Sequence, residues 1–98
     1  MIKYDVKEVS DKIALVSFEL TSGVITPAEL PEAIKRLPQV EPGVGIILSG
    51  RGPIWLFAAM VHEYHCTPFV ACYDPRLSGG IVAESHTPDV KVGDIIPV

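Results

Sequence analysis

Apolar residues alternate weakly along positions 2–8 and then dominate positions 12–20, KIALVSFEL. Both patterns predict strands, and Ser10-Asp11 between them is a turn signal. The period changes at Thr26-Pro27-Ala28-Glu29, a capping box with proline at the first helical position. Leu30, Ala33, Ile34 and Leu37 follow at helical spacing, and Pro38 stops the helix. Residues 39–43, with Pro42 and Gly43, read as a loop. Residues 44–48, VGIIL, read as a buried strand, and Ser49-Gly50-Arg51-Gly52 as a turn. Pro53 then opens a second helix running to about His65. Positions 54–61 are apolar nearly all round, so that helix must be covered on more than one side. The sheet can take one side, and a second subunit is the natural cover for the other. Thr67-Pro68 ends the helix, and FVACY (69–73) is another short apolar strand. A turn over 74–80 returns residues 81–84 as a hairpin partner, and residues 91–97 add a last short strand.

Strand 44–48, helix 53–65 and strand 69–73 form a βαβ crossover, with parallel strands and a right-handed connection. The expected fold class is α/β: one domain over residues 1–98, a small mixed sheet with two helices and one βαβ crossover, ferredoxin-like or Rossmann-like. Ninety-eight residues suit one compact domain, and 48 % hydrophobic with 20 % charged residues is a folded composition.

The net charge of −4 is shared equally by the two halves, with no Lys/Arg run. That excludes a basic surface for long nucleic acid, DNA included, but not a small anion gripped by one or two arginines. The N-terminus, MIKYDVKEVS, lacks the apolar core of a signal peptide, and no apolar run is long enough to span a membrane. Cys66 and Cys72 lack C-x-x-C spacing and read as reduced, buried thiols. A cytoplasmic location follows as the expectation.

The crossover sorts the polar residues. Both parallel strands end on one edge, which collects Ser49, Gly50, Arg51, Gly52 and Pro53 after one strand and Asp74 and Arg76 after the other. Ligands of open α/β sheets bind outside such carboxyl ends. The same edge holds the N-terminus of helix 53–65, with free N–H groups and a positive dipole end. This is the make-up of a phosphate site with two arginine forks. The competing reading is a salt bridge from Asp74 to Arg51 or Arg76 that only stabilises a turn.

His62 and His65 lie three apart near the other end of the helix, about 18 Å away for some 12 residues. The strand over 81–84 should bring His86 to that far edge, making a three-histidine cluster with Glu63, Tyr64 and Glu84 nearby. Imidazoles in such a cluster suit acid–base work or divalent metals. The competing reading is a pair of histidines capping a helix C-terminus. The two edges cannot reach each other within one subunit. If they act on one ligand, a second protomer supplies the other half through a heterologous contact, which makes rings or filaments.

SGRGPIW, H-E-Y-H, TPFVACYDPRL and the later Ser85-His86 resemble the small ring nucleases of type III CRISPR systems, most clearly over residues 44–86. The resemblance implies a manganese-dependent phosphodiesterase that cleaves cyclic tetra-adenylate and so switches off type III signalling. Some members were also described as RNA deadenylases. It further implies a dimer, with ligand sandwiched between dimers stacked head to tail. Ser49, Arg51 and Arg76 would contact phosphate or adenine. His62, His65, Asp74 and His86 would be the catalytic and metal-associated positions, with His62, His86 and Asp74 as manganese candidates. No fused effector domain is expected after the motif region. Two other functions fit the same residues: a non-catalytic module that sequesters cyclic oligoadenylate, and a 3′ exonuclease acting on short poly-A RNA.

Overall fold

The computed structural model describes all 98 residues. Strands β1 (Ile2–Ser10) and β2 (Ile13–Leu20) form an antiparallel hairpin. A 3-10 turn, Pro27–Glu29, runs into the short helix α1 (Leu30–Lys35). Strand β3 (Gly45–Gly50), helix α2 (Ile54–Glu63) and strand β4 (Phe69–Asp74) follow. Strands β5 (Gly79–Ser85) and β6 (Ile95–Pro97) close the chain.

All six strands join one sheet in chain order, β1 to β6. β2–β3 and β3–β4 are parallel, and the other pairs are antiparallel. The fold is therefore a small mixed α/β domain, with two crossovers rather than the one expected. The second runs from β2 through the 3-10 turn and α1 to β3; the helix was legible in its spacing, but the parallel pairing of β2 with β3 that makes it a crossover is a long-range contact. Sequential order also differs from ferredoxin-like and Rossmann-like sheets, whose strand orders interleave or reverse.

Two right-handed crossovers advancing in the same direction place both helices on one face. The main core lies there: Val16, Phe18, Ile46, Leu48 and Val70 from the sheet meet Ala33, Leu37, Leu56, Met60 and Tyr64. The other face holds Ile47, Phe69, Ala71 and Val82, flanked by half-buried Ile13, Leu15, Tyr73 and Ile96, with no helix over it. Core burial at about 25 cal/mol per Å² of apolar area supplies most of the driving force.

Helix α2 covers less of itself than its composition demands. Leu56 and Met60 are fully buried, while Ile54 is 86 % exposed and Ala58 lies on the outside. No helix is long and apolar enough to cross a membrane.

Candidate functional site

Leu20, Gly50 and Asp74 end β2, β3 and β4, so these three strands deliver their carboxyl ends to one edge. Ser49 and Gly50 belong to β3 itself, and the turn is confined to Arg51–Pro53. Pro53 caps α2 with an extended backbone and starts the helix beside Arg51. A shallow concavity of about 390 Å³ opens there, lined by Gly23, Val24, Arg51, Gly52, Pro53 and Trp55 among others. The Arg51 side chain forms no ion pair or hydrogen bond within the chain, whereas Arg76 does.

Gly50 and Gly52 have a packing reason that spacing could not show. A Cβ on Gly50 would sit 2.6 Å from the Phe18 ring and 2.7 Å from the Phe18 carbonyl oxygen. A Cβ on Gly52 would lie 3.0 Å from Leu56 and 3.1 Å from Phe18. The GRG segment is thus pressed against β2, and the same absence of side chains leaves its backbone open on the outer side.

Asp74 and Arg76 adopt the salt-bridge reading. Arg76 donates from Nε to Asp74 Oδ1 at 3.3 Å and from Nη2 to Oδ2 at 3.1 Å, and its backbone N–H reaches Oδ1 at 2.9 Å. These bonds hold the Asp74 carboxyl below its ordinary range and push the Arg76 guanidinium up. Arg76 remains 86 % exposed, so its other donors face outward.

The histidine edge lies at the other end of α2, about 15 Å along ten residues. The helix stops at Glu63, so His65 sits in the turn after it rather than within it. The rings of His62 and His65 still stack, with centroids 5.5 Å apart. Nδ1 of His65 lies 2.8 Å from the His62 carbonyl oxygen. A carbonyl only accepts, so Nδ1 is the donor, and in the tautomer that this bond selects Nε2 presents a lone pair. Cys66 Sγ lies 3.3 Å from that Nε2.

Cys66 is exposed, contrary to the buried thiol expected; the turn after α2 carries it to the surface. Cys72, within β4, is half-buried, and burial pushes its thiol pKa up. Tyr64 anchors this end of the helix: its hydroxyl donates to the Pro38 carbonyl at 2.6 Å, and burial pushes its pKa up to about 12. A cleft of about 440 Å³ adjoins it, lined by Lys35, Gln39, Val40, Glu63, Cys66 and Thr67 among others.

The β4–β5 hairpin does return His86 to this edge, where its backbone N–H donates to the Pro68 carbonyl at 2.8 Å. Its ring meets Glu84 instead of completing a three-histidine cage: Nε2 lies 3.6 Å from Glu84 Oε2. Glu84 Oε1 is buried without a hydrogen-bond partner. No three His, Cys, Asp or Glu residues of the chain are grouped to hold a metal. The expected set of His62, His86 and Asp74 is therefore not assembled in one protomer, because Asp74 ends β4 at the opposite edge and is engaged by Arg76.

Residues 18–97 match the family described as CRISPR-associated protein (Cas_csx3). A protein of Aquifex aeolicus (strain VF5), described as uncharacterized, is 40 % identical over 101 residues, covering 98 % of this chain and 87 % of that one.

Proposed function

The chain belongs to the Cas_csx3 family of CRISPR-associated proteins, and from that premise we propose that it is a ring nuclease. In this reading it binds cyclic tetra-adenylate in the cytoplasm and cleaves it, ending type III CRISPR signalling. One observation carries the reading: the chemistry is divided between the two ends of α2. An unpaired Arg51 stands at the helix N-terminus, and an oriented His65 stands beyond its C-terminus. A ligand that needs both is held between protomers, the Arg51 edge of one facing the histidine edge of the next. The apolar outer positions of α2, Ile54 and Ala58, fit a chain that associates.

Arg51 grips a phosphate through its guanidinium, aided by the open backbone at Gly52 and the dipole of α2. Symmetry repeats that single arginine around a four-phosphate ring, so the acidic net charge is no obstacle. His65 Nε2 takes the proton from the attacking hydroxyl. If the ribose 2′-OH attacks, the 2′-O–P bond forms as the P–O5′ bond breaks, giving a 2′,3′-cyclic phosphate and a 5′-OH that takes up a proton. If water attacks, the products are a 3′-phosphate and the same 5′-OH. Manganese is the proposed cofactor, held through His86 and donors beside it; when bound it supplies charge neutralisation at the scissile phosphate.

The test is incubation with cyclic tetra-adenylate, with manganese or with chelator, followed by chromatography of the products. Linear products in manganese and none in chelator are expected; an intact ring in both sinks the enzyme reading. Because a guanidinium and an open backbone can grip a phosphate without a metal, a sequestering module is the second reading. It predicts tight binding of the ring without turnover.

A further inference from the structure

Side chains along a strand alternate between the two faces of its sheet. On the face without helices, Ile13, Leu15, Ile47 and Ala71 form an apolar surface. Towards the carboxyl edge the next positions on that face are Ser17, Ser49 and Tyr73. Ser17 pairs with Ser49 across β2 and β3. Leu48 pairs with Cys72, which sets Tyr73 beside Ser49 one residue on. From β1, Asp5 pairs with Ser17 and extends the row across a further strand. With strands about 4.8 Å apart, the row from Asp5 to Tyr73 is about 14 Å long.

These polar groups are unused within the chain. The Tyr4 and Tyr64 hydroxyls each donate to a backbone carbonyl at 2.6 Å, whereas the Tyr73 hydroxyl has no partner. Ser17 and Ser49 are half-buried and make no side-chain hydrogen bond, while Ser22 and Ser85 do. Asp5 forms no ion pair, unlike Asp74. A concavity of about 300 Å³ opens at the Asp5–Ser17 end, with Lys3 and Glu19 also on its walls. Half-buried polar groups without protein partners are left to water or to a ligand.

We propose that Asp5, Ser17, Ser49 and Tyr73 hold the riboses of the nucleotide ligand and select ribonucleotide over deoxyribonucleotide. The inference rests on the ring-nuclease reading for the identity of that ligand. The chemistry of the row matches sugar rather than phosphate. A ribose 2′-hydroxyl both donates and accepts, as serine and tyrosine hydroxyls do. The Asp5 carboxylate only accepts: it repels phosphate but takes a hydrogen bond from a ribose hydroxyl, as acidic residues do in dinucleotide sites. Arg51 and Arg76 lie just past the ends of β3 and β4. Phosphates gripped at that rim leave the sugars to lie on the open face of the sheet.

The test is calorimetric titration of the full chain in chelator, with cyclic tetra-adenylate and with its all-2′-deoxy counterpart. Wild type should bind the ribose ring about tenfold tighter or more. Asp5→Ala, Ser17→Ala and Tyr73→Phe should each weaken binding of the ribose ring about three- to tenfold and leave the deoxy ring unchanged. A merely structural role would move both rings together. Melting should not shift, because none of these side chains bonds within the chain. Ser10→Ala, at the opposite edge, should bind both rings as wild type does. Equal wild-type affinity for the two rings, full discrimination in Ser17→Ala and Tyr73→Phe, or a wild type that binds neither ring overturns the proposal. Failure of the ring-nuclease reading shows separately, as a ribose ring bound with this discrimination yet left uncleaved in manganese.

Discussion

His65 turns its ring back on the helix it follows and donates Nδ1–H to the His62 carbonyl oxygen at 2.8 Å. One bond selects the tautomer, orients the ring and leaves Nε2 as the basic atom. Replacing His65 by alanine removes that atom without touching the core, because the residue is exposed. Cleavage of cyclic tetra-adenylate should fall by about 10²–10⁴-fold, the usual worth of a general base. Ligand binding, measured by fluorescence anisotropy, should stay within a few-fold of wild type. Undiminished cleavage would remove His65 from the mechanism.

Arg51 and Arg76 should behave differently although both follow parallel strands. Arg51→Ala breaks no bond within the chain, so melting should not move, while affinity for the cyclic ligand drops by about 1.5–3 kcal/mol, or roughly 10–150-fold. Arg76→Ala also frees Asp74 from its fork. Calorimetric titration of both variants checks the contrast; equal wild-type affinity in Arg51→Ala would refute the phosphate edge.

Gly50→Ala drives a methyl group into the Phe18 ring and carbonyl, at 2.6 and 2.7 Å. Overpacking of this kind costs about 1–3 kcal/mol, and urea unfolding should show it. Ligand binding should weaken as well, since the Arg51 turn moves with Gly50. A stable Gly50→Ala variant would mean that Phe18 yields freely.

Tyr64→Phe leaves the Pro38 carbonyl without its donor and should cost about 1–2 kcal/mol. Because Tyr64 precedes His65, the loss should also lower turnover at saturating ligand more than it changes affinity. Thermal melts and single-turnover rates test the two halves separately.

Stability should fall at both ends of the pH scale. Burial pushes Tyr4 and Tyr64 up to about 12. Unfolded tyrosine ionises near pH 10, so their contribution is whole below about pH 10 and is lost towards pH 12. On the acid side, Arg76 holds the Asp74 carboxyl low, and the Thr26 N–H does the same for Glu29. Their contribution is present above the ordinary carboxylate range and is lost as pH falls through the lowered values. Denaturant midpoints that stay flat from pH 10 to 12 would contradict the tyrosine assignments.

Ile54 is 86 % exposed on a helix with no polar face. Ile54→Glu should leave melting of the dilute chain within about 0.5 kcal/mol of wild type, as surface changes do. It should shift sedimentation towards the monomer. An unchanged distribution would place the subunit contact elsewhere.

Local pattern was enough for much of this protein. Alternation and apolar runs marked every strand, the Thr26–Glu29 signature marked the first helix, and the βαβ unit divided Arg51 from His65 along α2. These are properties of spacing, and spacing is written in the chain. Tertiary contact decided the rest. Phe18, some thirty residues upstream, is what presses on Gly50 and Gly52. A hydrogen bond to Pro38 fixes Tyr64, and a turn beyond Glu63 exposes Cys66 beside His65. A bulge at Ala83 sets Glu84 against His86, where three clustered imidazoles were expected. Each of these depends on which distant group arrives within a few ångströms, and no periodicity records that.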